Sequence, residues 1–129
     1  MSNLQNAVDF MKMARADWEA GMCSSSPYSI CFHAQQAAEK YLKGFLAFHS
    51  QTIPKSHDIG DLINRCAIID AEFQTLLSCA DALKPFGVEI RYQSSKEEAD
   101  TNCHIAWSAM SSIFNIIKQK LPESVVSVR

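Results

Sequence analysis

Glycine and proline are scarce in this chain, four of each in 129 residues, and the glycines are scattered. Their scarcity removes the usual backbone cradles for phosphate. There is no Gly-x-Gly-x-x-Gly, no Walker A loop and no Gly-x-Ser-x-Gly nucleophile elbow, and the zinc-protease pattern His-Glu-x-x-His is missing too. No window approaches the about 18 consecutive apolar residues that a membrane span requires. Met1-Ser2-Asn3-Leu4-Gln5-Asn6 has neither the basic region nor the apolar run of a signal peptide, so a cytoplasmic protein is expected. Positive charge is not in excess either: twelve Lys and Arg against fourteen Asp and Glu give a net charge of −2. That balance excludes a broad nucleic-acid footprint built on many phosphate contacts, while leaving room for a local basic pocket. Cys-x-x-Cys is absent. Cys23, Cys31, Cys66, Cys79 and Cys103 are odd in number and widely spaced, and read as reduced packing residues rather than a disulfide framework. The close Cys/His pairs, Cys31-Phe32-His33 and Cys103-His104, are too few for a structural metal site. No metal and no obligatory cofactor are expected.

With 47% hydrophobic and 20% charged residues, the chain has the composition of an ordinary globular domain. Its length suits one domain burying about 65–70% of its unfolded surface. That domain is expected over residues 1–122, with a frayed tail over 123–129. Periodicity and caps give an all-α fold, an up-and-down bundle of four to five helices. The first helix runs from about Asn3 to Gly21, with Leu4, Val8, Met11, Trp18 and Met22 as its apolar stripe and Gly21 at its C-terminal end. Ser26 as N-cap and Pro27 at the first helical position start the second, which reaches about Ser50. Pro54 breaks the chain, and Asp58 or Ser56 caps a third helix through Ile68, with Ile59, Leu62, Ile63 and Cys66 inward. Asp70 and Glu72 open a fourth, with Phe73, Leu76, Leu77, Ala80 and Leu83 apolar, ending near Pro85-Phe86-Gly87. Val88 to Ser94 is an irregular connection. Ser95-Lys96-Glu97-Glu98 is a capping box for the last helix, which carries Ala106, Met110, Ile113, Phe114, Ile117 and Leu121 before Pro122.

The second helix has two chemically distinct sides. Ile30, Ala34, Ala37, Ala38, Tyr41, Leu42 and Phe45 gather on one, a core face. Phe32, Gln36, Glu39, Lys40, Lys43 and Ala47 share the opposite arc. An aromatic such as Phe32 beside an ordered Gln, Glu, Lys, Lys series is unusual for a solvated face. Two readings stand. In one, Glu39 and Lys43 form an exposed i,i+4 pair worth about 0.3–0.5 kcal/mol. In the other, Phe32, Gln36, Glu39 and Lys43 form a symmetric subunit interface, or line a cleft in which Lys40 and Lys43 meet phosphate. A second constellation is Lys55-Ser56-His57-Asp58 with Arg91-Tyr92. A helix N-terminus attracts phosphate, but Asp58 as N-cap would occupy the same donors. His57 is then left to bond across the bundle or to reach a ligand, and Arg91 with Tyr92 to contact a ligand or partner.

Taken together, Ala14-Arg15-Ala16-Asp17-Trp18, Phe32-His33-Ala34-Gln35-Gln36-Ala37-Ala38-Glu39-Lys40 with Lys43, Ser56-His57-Asp58 with Leu62, and Arg91-Tyr92 resemble the HEPN family, the higher eukaryotes and prokaryotes nucleotide-binding domain, in its small stand-alone prokaryotic form. The resemblance covers most of the chain. It implies a helical bundle, a homodimer, a nucleotide ligand (with a purine as the candidate), and pairing with a minimal nucleotidyltransferase in a toxin-antitoxin-like or regulatory system. HEPN ribonucleases are similar to one another in an Arg, four to six residues, His motif, and this sequence departs from it. Five to seven residues after Arg15 stand Ala20, Gly21 and Met22; after Arg65, Asp70, Ala71 and Glu72; after Arg91, Lys96, Glu97 and Glu98. A metal-independent endoribonuclease would have to recruit His33, His57 or His104 from elsewhere. A binding module is therefore the first expectation, with nucleic acid as a ligand only through RNA in a local cleft. An endoribonuclease and a purely structural interaction protein are the alternatives.

Overall fold

A computed structural model describes residues 2–83 and 96–127. The fold is all-α, with no strand among the described residues. The helices are α1 (Ser2–Met22), α2 (Pro27–Phe48), α3 (Ile59–Ile69), a 3₁₀ helix (Ala71–Leu76), α4 (Leu77–Leu83), α5 (Lys96–Lys120) and α6 (Glu123–Val126). The local signals act as expected at three starts. Ser26 Oγ accepts from Ser29 N with Pro27 following, Asp58 accepts from Asp61 N, and Asp70 accepts from Glu72 N to open the 3₁₀ helix. Ser56 serves Asp58 instead, its Oγ accepting from the Asp58 N–H at 3.1 Å.

Helix α2 is the centre of the bundle, packed against α1, α5 and α3. It runs antiparallel to α1, since Gly21 meets His33 while Gly44 meets Phe10 and Met11. The two helices approach closely because small residues face each other there: Ala7, Ala14 and Gly21 on α1, Ala37 and Gly44 on α2, with the alanines wholly buried. A methyl group added at Gly44 would overlap Met11 Cε. At Gly21 it would run into the Trp107 ring. Gly21 is therefore required by packing, and its backbone is not left-handed. This small-residue line corrects the expected α1 stripe: Met11 is buried, but Leu4 is 50% and Met22 68% exposed.

On its far sides α2 contributes Tyr41 to the α5 contact with Phe114 and Phe45 to Phe73 of the 3₁₀ helix. Leu42 takes part through its carbonyl, which accepts from Cys66 Sγ. Burial pushes the Cys31, Cys66 and Tyr41 groups up to about 12, so these are packing groups and not nucleophiles. After α2 the chain turns at Ser50, whose φ of 63° is left-handed and whose Oγ accepts from Asn3 Nδ2. The connection then doubles back, bringing residue 57 alongside Glu39.

Two further expectations are corrected. Leu77 is 40% exposed, because residues 71–76 form a 3₁₀ turn in which Phe73 and Leu76 share the inner side and Leu77 is rotated away. The tail does not fray over 123–126: it forms α6 against α1 and α5, with Val125 2% exposed. The stop near residue 86, the Val88–Ser94 connection and the Ser95 cap lie outside the described residues.

Candidate functional site

The polar arc of α2 lies largely inside the protomer, where it forms two carboxylate-centred clusters. In the first, Asp17 of α1 stands one turn beyond buried Ala14, at the edge of the close α1–α2 contact. His33 Nδ1 lies 2.8 Å from its Oδ1, and Lys40 Nζ donates to its Oδ2 at 3.1 Å. Lys40 also donates to Gln36 Oε1 at 3.0 Å, one turn earlier on the same helix. The Asp17, Lys40 and His33 side chains are 16–24% exposed, so they are only partly open to solvent.

In the second cluster Glu39 is 3% and Lys43 7% exposed. Glu39 Oε2 accepts from Lys43 Nζ at 3.0 Å, and His57 Nδ1 lies 3.0 Å from the same oxygen. A carboxylate can only accept, so the imidazole proton sits on Nδ1 and Nε2 is turned outward. His57 is 77% exposed, whereas the carboxylate it touches is buried. Glu39 Oε1 has no hydrogen-bond partner among the described residues. An unmatched buried acceptor costs about 1–3 kcal/mol.

Each lysine of the arc is thus matched by a carboxylate: Lys40 by Asp17 and Lys43 by Glu39. The four charges cancel, so the network is a rigid, internally neutral set of hydrogen-bonding groups rather than a cation cluster. Phe32 completes the arc. It is partly buried without joining the core cluster of the described residues; its ring stacks on Tyr28 at 6.4 Å and meets His33 edge-on at 5.3 Å, both on its own helix.

A family profile for the HEPN domain matches residues 2–121, nearly the whole chain. The chain belongs to the HEPN domain family. Membership makes it, in general terms, a nucleotide- or RNA-related module. No curated protein and no solved structure matches it. This HEPN domain brings together Gln36, Glu39, Lys40, Lys43 and His57, with Phe32 one turn away on α2. Lys55 is exposed, and Arg91 and Tyr92 lie outside the described residues. Sequence reasoning gave no site role to Asp17, whose signal is an acid among the inward residues Ala14 and Trp18 of an amphipathic helix. His33 was legible only as a stray titratable group. Its partner across the α1–α2 contact makes it part of the network.

Away from the network, a cleft of about 380 Å³ lies between α4 and α5, lined by Cys79, Ala82, His104, Ile105, Ser108 and Ser112 among others. No group of three or more His, Cys, Asp or Glu among the described residues is arranged to hold a metal ion, and no described helix is long and apolar enough to cross a membrane.

Proposed function

We propose that this HEPN domain is a recognition module for a nucleotide or for single-stranded RNA, working in the cytoplasm without hydrolytic chemistry of its own. The observation that carries this reading is Phe32: a partly exposed aromatic ring outside the core cluster of the described residues, one turn from Gln36 and the neutralised network, offers stacking and hydrogen bonds to a planar ligand. Because Lys40 and Lys43 are held by carboxylates, phosphate contact falls to the exposed Lys55, with Arg91 and Tyr92 as the candidates that the sequence supplies. Homodimerisation, and pairing with a minimal nucleotidyltransferase in a regulatory or toxin-antitoxin-like system, complete the proposal. Since Glu39 and Lys43 are enclosed by their own chain, a subunit contact on this face would rest on Phe32 and Gln36.

The test is thermal unfolding against a panel of purine and pyrimidine mono-, di- and triphosphates. A ligand at 100 times its dissociation constant stabilises the fold by about 2.7 kcal/mol, a shift of several degrees. Phe32→Asp should abolish that shift while leaving the mass in light scattering unchanged; conversion to a smaller species would assign Phe32 to a subunit contact instead.

A second reading, a metal-independent endoribonuclease, has one observation in its favour. Glu39 orients the His57 imidazole and leaves Nε2 facing solvent, as a general base requires. The missing Arg/His spacing weighs against it. Cleavage of single-stranded RNA without metal, lost on His57→Ala, would establish it.

A further inference from the structure

Two thiols meet where α2 packs on α5. The helices run parallel there: Gly21 of α1 stands against both His33 and Trp107, and about two turns further on Tyr41 meets Phe114 ring to ring. Cys31 lies ten residues before Tyr41 and Cys103 eleven before Phe114, about 15 and 16 Å back along the two axes, so both stand at one level of the bundle. The Cys31 thiol donates to Cys103 Sγ, and Cys103 Sγ donates in turn to the Asp100 carbonyl oxygen at 3.2 Å. Ala34 and Ala106, one turn further along each helix, are wholly buried. Side chains that small let two backbones come close, as a disulfide with about 5.5–6 Å between its Cα atoms requires.

The two sulfurs differ in access. Cys31 is wholly buried, whereas Cys103 is 6% exposed, so a small oxidant reaches Cys103 first. We propose that Cys31 and Cys103 form a reversible oxidation site, which a peroxide converts into a disulfide fastening the start of α2 to α5. Cys103 gives its proton to solvent and its thiolate attacks one peroxide oxygen; the O–O bond breaks, hydroxide leaves to become water, and Cys103 is a sulfenic acid. Cys31, still a thiol, then attacks Cys103 Sγ. The S–S bond forms, the S–O bond breaks, and the departing hydroxide takes the Cys31 proton as a second water. Each sulfur has lost one electron, and the two peroxide oxygens have been reduced to water. A dithiol reverses the bridge by exchange. The closed loop contains α3, the 3₁₀ helix and α4, and Phe32 and His33 follow directly on the bridged residue.

The test uses the full folded chain carrying Cys23→Ser, which removes the exposed thiol and leaves four. After treatment with hydrogen peroxide, the protein is alkylated in denaturant and its peptides are weighed. Two thiols, Cys66 and Cys79, should remain alkylatable, with the Cys31 and Cys103 peptides joined within one chain and released by dithiothreitol. The bridged form should unfold at a urea midpoint higher by about 1–2 M, because the closed loop restricts the unfolded chain. Adding Cys31→Ser should trap the sulfenic acid, read as a dimedone adduct on Cys103, and should erase the midpoint shift. Adding Cys103→Ser instead should leave the remaining three thiols intact under the same treatment. Four alkylatable thiols after excess peroxide, a bridge to Cys66 or Cys79, or a bridge between two chains overturns the proposal. So does a Cys103→Ser variant that loses thiols as fast as its parent.

Discussion

Glu39–Lys43 on α2 and Arg15–Glu19 on α1 are the same arrangement, an acid and a base four residues apart, with N–O distances of 3.0 and 3.2 Å. The Glu39 and Lys43 side chains are 4% and 9% exposed, those of Arg15 and Glu19 47% and 65%. On α1 either partner can be lost to water at little cost. On α2 the survivor would be a charge enclosed by its own fold. The difference comes from tertiary placement: α2 is enclosed by α1, α3 and α5, and the connection after Ser50 folds back toward Glu39. Equal spacing therefore says little about what a pair contributes.

The sharpest break of this comparison is Lys43→Met, which strands the buried carboxylate. It should cost about 3–5 kcal/mol, read as a lower urea midpoint at unchanged slope, and adding Glu39→Leu should restore most of the loss. If the double variant falls as far as the single, the pair contributes directly and not merely by mutual neutralisation. Next comes Asp17→Asn, at the partly exposed cluster. It should cost about 1.5–3 kcal/mol, since two charge-assisted bonds, from His33 and Lys40, lose their acceptor charge.

Lys120 with Asp70 and Glu72, at 3.0 and 2.7 Å, is a third environment, fastening the end of α5 to the start of the 3₁₀ helix. The Lys120 ammonium and the Glu72 N–H hold the Asp70 carboxyl below its ordinary 3.8, and the two carboxylates hold Lys120 above 10.5. A depressed acid stabilises the fold above its unfolded value and loses that contribution as pH falls through the folded one. A raised base stabilises below 10.5 and loses the contribution as pH rises through its folded value. Lys120→Met should therefore be less stable than the parent at pH 7, and the two should converge in acid as Asp70 protonates. Smallest of all, Arg15→Ala should change stability by less than about 0.5 kcal/mol, an effect that salt screens further.

The helix starts were legible because caps are local: Ser26-Pro27, Asp58 and Asp70 need only their own next turn. Which face of a helix lies inward was legible only where one neighbour decides it. The apolar side of α2 was read correctly from Ala34 to Phe45, but its polar arc is buried as well, through a returning connection that no wheel contains. Leu77 was misplaced because a 3₁₀ turn changes the angular step just before it. The candidate site was legible in part: spacing aligned Phe32, Gln36, Glu39 and Lys43 on one arc. It left Asp17 out, since its partners lie 16 and 23 residues away along the chain.

Both tryptophans of the chain sit at one junction. Trp18 meets Trp107 edge-on at 5.5 Å and Phe114 at 5.3 Å, and its indole N–H donates to Met22 Sδ. Intrinsic emission and near-ultraviolet dichroism will thus report the docking of α1 on α5 and stay silent about α3 and α4. A domain that lost α3 and α4 first would keep its fluorescence while its helicity fell, so unfolding followed by emission alone would be blind to that part of the molecule.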